Sequence, residues 1–282
     1  MTRVLILSDL HFGFHRTELI EPMLTLVRRL NIDLALFAGD VSHRGRPEQL
    51  EMAASFLRRM ELPIVAVPGN HDVPLFNIPL RLIRPYQGFC QQISPDLAPT
   101  RRAGQVQVFG VNSVDPFAWQ RGIIHRDDFA RVEAGIDRQA VNIVMLHHPL
   151  EQLPVVDKAL ARNAPEFLDA LARCGASIVV TGHLHVWNVA KLLEQTRTPS
   201  VLQIHTASAL CARAEDPPNE FAVLDVDGPE LTIERYIAAK DRSDFRPIFE
   251  RYRQQDGLWQ AVDQCPDRPR FPGASDTAFK TA

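Results

Sequence analysis

Short runs of nearly uninterrupted apolar residues alternate along the first two-thirds of the chain with stretches whose apolar positions recur every three or four residues. Arg3 to Ser8, Asp33 to Ala38, Ile64 to Val67, Val106 to Val111, Val141 to Leu146 and Ser177 to Thr181 read as strands. Several are apolar throughout, as strands covered on both faces are. Met23 to Leu30, Pro47 to Met60, Arg126 to Arg138 and Asp157 to Arg173 carry the helical period, and Pro22 and Pro47 suit a first helical turn. Strand and helix in alternation predict an α/β sheet covered by helices.

From Val186 the pattern changes. Val186 to Leu193, Ser200 to His205, Glu220 to Val226 and Leu231 to Ile237 read as successive short strands, with Asp227-Gly228 as a turn, and predict a second, more antiparallel sheet. A short helix is expected around Phe245 to Tyr252, then a loose tail. The connection between Asp72 and Val106 is long and holds Leu75, Phe76, Ile78, Leu80, Leu82 and Ile83, so it is expected to carry a helix beside the motifs below.

Composition narrows the function classes. The 282 residues carry a net charge of −3, which gives no basic field for stable nucleic-acid binding. Cys90, Cys174, Cys211 and Cys265 are scattered, so neither a disulfide framework nor a thiolate metal site is expected. No leader pattern opens the chain and no apolar run approaches the ~20 residues of a membrane span. A cytoplasmic location is expected. Oligomeric state is not legible.

The chemistry lies at the strand ends. Successive apolar runs finish in Asp9-Leu10-His11, Gly39-Asp40, Gly69-Asn70-His71-Asp72, His147-His148-Pro149 and Gly182-His183-Leu184-His185. Taken singly, an aspartate here could cap a helix and a histidine could be a satisfied core residue. Ligands of open α/β sheets bind at the carboxyl ends of strands, which brings groups remote in sequence together. Carboxylate, imidazole and carboxamide donors suit divalent Mn, Fe or Zn. The i, i+2 spacing of Asp9 with His11 and of His183 with His185 sends both side chains of each pair to one face of an extended segment. Asp9, His11, Asp40, Asn70, His147, His183 and His185 are too many donors for one ion and suit two that share a carboxylate. Gly39, Gly69 and Gly182 fit turns that leave the site open.

This order of blocks resembles the calcineurin-like metallophosphoesterases over about residues 1–240, and the spacing around Gly69-Asn70-His71-Asp72 is most similar to their class III cyclic-nucleotide phosphodiesterase group. The resemblance implies a four-layer α/β/β/α sandwich with two mixed sheets, a cap insert at about 73–103 and a C-terminal extension at 241–282. It implies one metal on Asp9, His11 and His185, a second on Asn70, His147 and His183, and Asp40 bridging. His71 is the implied proton donor or phosphate-binding group. His43, Asp72 and His148 are expected to support these groups from behind. Many relatives carry an aspartate where this chain has His43.

The expected reaction is hydrolysis of a small phosphodiester, with a 3',5'-cyclic nucleotide as one candidate, by in-line attack of a metal-bridging hydroxide. An alternative is a pyrophosphate in a nucleotide-sugar or lipid-linked substrate. The apolar insert with Arg81 and Arg84 as substrate contacts favours that alternative, although relatives of that type usually carry arginine where His71 stands. A nuclease conflicts with the charge balance, and a non-catalytic scaffold conflicts with an undegraded donor set.

Overall fold

The computed structural model describes residues 1–153, 158–191, 201–239, 241 and 243–262. Two mixed sheets stack face to face, with helices on both outer sides. In the first sheet, β1 (Thr2–Leu7), β2 (Leu34–Ala38) and β3 (Ile64–Val67) are parallel. On the other side of β1 the sheet continues antiparallel through β10 (Asn219–Asp227), β11 (Glu230–Ala238), β12 (Arg246–Gln255) and β13 (Leu258–Ala261). In the second sheet, β5 (Val106–Gly110), β6 (Val141–Met145), β7 (Ile178–His185) and β9 (Leu202–Ala207) run parallel. β4 (Thr100–Ala103) and β8 (Asn188–Lys191) flank them antiparallel.

Side chains alternate across a strand, so the apolar runs divide their residues between two cores. Val4, Ile6, Leu34 and Leu36 of the first sheet meet Val108, Ile143, Val180 and Ile204 of the second in the central layer. The opposite set, Leu5, Leu7, Ala35 and Phe37, takes the apolar stripes of α1 (Ile20–Val27) and α2 (Pro47–Met60). In α2 the buried positions Leu50, Ala53, Phe56, Leu57 and Met60 follow the helical spacing, and Pro47 opens the helix where a missing N–H costs nothing. Phe109, Val144 and Val179 receive α5 (Arg126–Gly135) and α6 (Ala164–Cys174) on the far side. No helix among the described residues is long and apolar enough to cross a membrane.

Four expectations are corrected. The strands after Val186 form no separate sheet: β8 and β9 join the second sheet, and β10 and β11 extend the first. The helix expected around Phe245 to Tyr252 is β12, which pairs along β11 in a register that places Pro247 opposite Tyr236. Arg235 bridges Glu220 and Glu250 across three adjacent strands there, and Tyr252 turns into the central core. The insert holds two short helices, α3 (Ile78–Ile83) and α4 (Gln87–Gln92), broken at Arg84-Pro85, because a residue preceding proline disfavours helical backbone. The last helix starts at Ala164, after Asn163 in left-handed conformation, and not at Asp157, which lies outside the described residues together with Leu193 and the tail from 263.

Candidate metal centre

The strand ends meet along one edge of the sandwich, zipped by main-chain bonds. The N–H groups of Asp9 and His11 donate to the carbonyls of Gly39 and Asp40 at 3.1 and 3.0 Å, and Gly182 N–H donates to the His147 carbonyl at 3.1 Å. The backbone here is unusual. Asp9, His11, Asp40, His183 and His185 all have φ between 49° and 71°, the left-handed region that costs a non-glycine residue on the order of 1 kcal/mol. They are five of the nine such residues described, so strain is concentrated where the candidate donors sit. Gly69 serves by close approach: a Cβ there would lie 2.1 Å from Asp40 Oδ1.

The seven candidate donors converge as two groups. In the first, His185 Nε2 lies 3.1 Å from both Asp9 Oδ1 and His11 Nε2, and His11 Nε2 lies 3.7 Å from Asp40 Oδ2. In the second, His147 Nε2 lies 3.3 Å from that same Asp40 oxygen, 3.1 Å from Asn70 Oδ1 and 3.2 Å from His183 Nδ1. Asp40 Oδ1 is occupied by the His71 N–H at 2.8 Å, which leaves Oδ2 alone between the groups.

The outer hydrogen bonds decide which atoms face inward. His147 Nδ1–H donates to the Ala38 carbonyl at 2.8 Å and His185 Nδ1–H to the Asp216 carboxylate, so once the rings give up their second protons both Nε2 atoms present lone pairs. The Asn70 amide donates to the Trp119 carbonyl at 3.4 Å, which turns its Oδ1 inward. With those rings neutral, acceptors face acceptors, and buried Asp9 Oδ1 has no hydrogen-bond partner among the described residues. Such a donor set fits divalent cations, which satisfy every one of these lone pairs at once.

Electrostatics agrees. Burial pushes Asp9 and Asp40 upward, yet His185 and His147 bring Asp9 down to about 2, and His147 and His71 hold Asp40 well below its usual range. Burial opposes charge on His147 and His185 too, but the carboxylates win and lift them to about 9 and about 12. His11, short of such compensation, is pushed by burial down to about 3. The cluster thus attracts positive charge, and cations compete with protons for it.

The remaining expected residues lie around this edge. His71 is half-buried, and its Nδ1–H donates to the His43 carbonyl at 2.6 Å. The His43 ring stacks on His71 with centroids 5.6 Å apart. Asp72 is buried and accepts from the N–H groups of Val41, Ser42 and Gly69 and from Ser42 Oγ, stapling the turn of Asp40 to that of Asn70. His148 packs its ring on His147 and His183 and shares a hydrogen bond with Ser113 Oγ at 2.9 Å. Arg81 is buried and donates to the carbonyls of Pro116, Pro74 and Ala118, whereas Arg84 is exposed at the end of α3.

Four further residues at this edge carry no motif that a sequence reading can catch. Asp216 orients His185 from a polar loop. Lys158 Nζ donates to the His183 carbonyl at 2.9 Å. Trp119 supplies the carbonyl that holds Asn70. Cys211, whose spacing from the other cysteines suggests no thiolate site, lies with His11 and His185 in a buried group whose donor atoms fall within 4.8 Å of one another.

A sequence model of the calcineurin-like phosphoesterases matches residues 2–187. A protein of Vesicomyosocius okutanii named "Probable cyclic nucleotide phosphodiesterase" is 21% identical over 193 residues, covering 64% of this chain and 76% of that protein. One of the same description from Synechococcus is 26% identical over 160 residues, 54% of this chain and 58% of its own length. Among solved structures, purple acid phosphatase PPD1 from yellow lupin seeds superposes with a TM-score of 0.63 at 13% identity, covering 88% of this chain and 53% of that one. Vps29 of Chaetomium thermophilum gives 0.50 at 13% identity, with 89% and 97% covered. At such identities the structural likeness concerns the fold alone.

Proposed function

Because this chain belongs to the calcineurin-like phosphoesterase family and is a metal-dependent phosphoester hydrolase, we propose that it cleaves a small phosphodiester, with a 3',5'-cyclic nucleotide as the leading candidate, at a centre holding two cations. The observation that carries this reading is Asp40 Oδ2, which lies within 3.7 Å of His11 Nε2 on one side and 3.3 Å of His147 Nε2 on the other. Asp9, His11 and His185 would hold one cation, Asn70, His147 and His183 the other, and Asp40 both. Mn, Fe and Zn all accept such donors. When bound, two cations of this kind activate water for attack on phosphorus and offset charge on the phosphoryl oxygens.

The chain's own groups do the rest. With Nδ1–H of His71 held by the His43 carbonyl, Nε2 of the doubly protonated ring would be the atom that hands a proton to the departing ester oxygen, leaving the neutral imidazole. Lys158 adds a positive charge beside His183. The names of the two cyclic-nucleotide relatives support the diester class. A pyrophosphate substrate with a lipid tail is the second reading, favoured by the exposed Phe76, Leu82 and Ile83 of the insert.

The test is metal analysis with a substrate panel: cyclic nucleotides, glycerophosphodiesters, a phosphomonoester and UDP-sugar lipids, each with Mn²⁺, Fe²⁺ or Zn²⁺. Two metals per chain and preferential diester turnover are expected, and Asp40→Asn should lose activity and at least one metal. Full activity of Asp40→Asn, or turnover confined to the monoester or the pyrophosphate, refutes the reading.

A further inference from the structure

Trp119 combines two properties rarely found in one residue. Its main chain is part of the centre, since its carbonyl accepts from the Asn70 amide at 3.4 Å. The residue as a whole, however, is 66% exposed. A large aromatic side chain left in water forgoes ~2 kcal/mol of burial, which singles it out among the chain's three tryptophans. Trp259 is buried, and Trp187 lies under the Arg235 guanidinium at 4.6 Å.

The loop that carries the ring is tied down. Arg81 is buried and spends its guanidinium on the carbonyls of Pro116 and Ala118 at 2.7 Å each and of Pro74 at 3.3 Å, tying the loop before Trp119 to the root of the insert. The same guanidinium lies 5.5 Å from the indole centroid. Asp115 accepts from the Phe117 N–H at 3.0 Å and pairs with Arg162, closing the loop from its other side. Behind it, Ser113 Oγ bonds His148, whose ring packs on His183. The arginine expected from the sequence to touch substrate therefore acts through this loop.

We propose that Trp119 is the stacking platform for the base of a nucleotide phosphodiester, with Arg81 as the residue that positions it. The proposal rests on the diesterase reading above and gives it a substrate class: a phosphodiester that carries a flat heterocycle. Every base has a π-face, so a stacking platform accepts purines and pyrimidines alike and discriminates against phosphodiesters with alkyl groups only.

Two measurements on the full chain test this. The first is tryptophan emission during titration with adenosine monophosphate and, separately, with inorganic phosphate. Quenching by the nucleotide alone, absent in Trp119→Phe, is expected; equal quenching by phosphate, or the same quenching in Trp119→Phe, overturns the proposal. The second compares KM for a cyclic nucleotide and for glycerophosphoethanolamine. Trp119→Ala should raise the first about tenfold, equivalent to about 1.4 kcal/mol, and leave the second unchanged, while Trp119→Phe restores most of the loss. Parallel changes, or none, overturn it. If no phosphoester is turned over at all, the diesterase reading fails, and the quenching data alone decide the role of Trp119.

Discussion

His71 Nδ1 donates to the main-chain carbonyl of His43 at 2.6 Å, and the two rings lie stacked with 24° between their planes. A neutral carbonyl thus orients His71 at the position where many relatives place a carboxylate side chain. The orienting atom belongs to the backbone, so it survives any substitution of residue 43.

That predicts unequal variants. His71→Ala is expected to lower kcat about 10²- to 10⁴-fold with metal content intact, the loss being largest for alkyl leaving groups and small for p-nitrophenolate, which needs no proton. His43→Ala, which keeps the carbonyl, is expected to cost less than about tenfold. Steady-state kinetics across leaving groups checks both, and a larger loss from His43→Ala than from His71→Ala would contradict the assignment.

Asp72 holds the turns of Asp40 and Asn70 together through four donors, although burial and the neighbouring charge of Asp40 lift its carboxyl to about 6. In Asp72→Asn, an amide NH₂ faces N–H groups on one side. A loss of about 1–3 kcal/mol in denaturant unfolding is expected, with metal affinity falling about 10- to 100-fold. Isothermal titration with Zn²⁺ reports the second effect, and unchanged binding would make Asp72 a purely local staple.

Lys158 is the cation anchored on the His183 carbonyl. Lys158→Met is expected to raise KM for a phosphodiester and the inhibition constant of inorganic phosphate by about tenfold each, the size of a lost charge-assisted hydrogen bond. Equal constants in both proteins would remove Lys158 from the substrate's path.

His205 on β9 is buried, which pushes its pKa down from 6.5 to about 4. Because the folded value is the depressed one, the folded state binds fewer protons. This histidine's contribution to stability is present above about pH 6.5 and is lost as pH falls through about 4. In chelator, wild type should therefore lose up to about 3 kcal/mol more than His205→Gln between pH 7 and 4. Urea unfolding at several pH values measures the difference, and parallel curves would show that His205 titrates normally.

The local grammar of the chain was sufficient for the strands that carry chemistry. A run such as Val4-Leu5-Ile6-Leu7 is apolar on both faces, because β1 is covered by the second sheet on one side and by helices on the other. The donors follow at the strand ends, where backbone geometry changes over one or two residues, so Asp9, Asp40 and His183 are visible as motifs. What lies beyond reach of any local pattern was decided by packing. Nothing near Arg246 marks it as a strand, since β12 exists because β11 offers an open edge and Arg235 a cross-strand charge. Asp216, Lys158, Trp119 and the His43 carbonyl reach the centre through contacts spanning 25 to 49 residues, and such contacts depend on how the two sheets stack, which no window of sequence encodes. Arg81 makes the same point: its charge was legible, but whether it faces a ligand or three carbonyls was settled only when the loop at Pro116 closed over it.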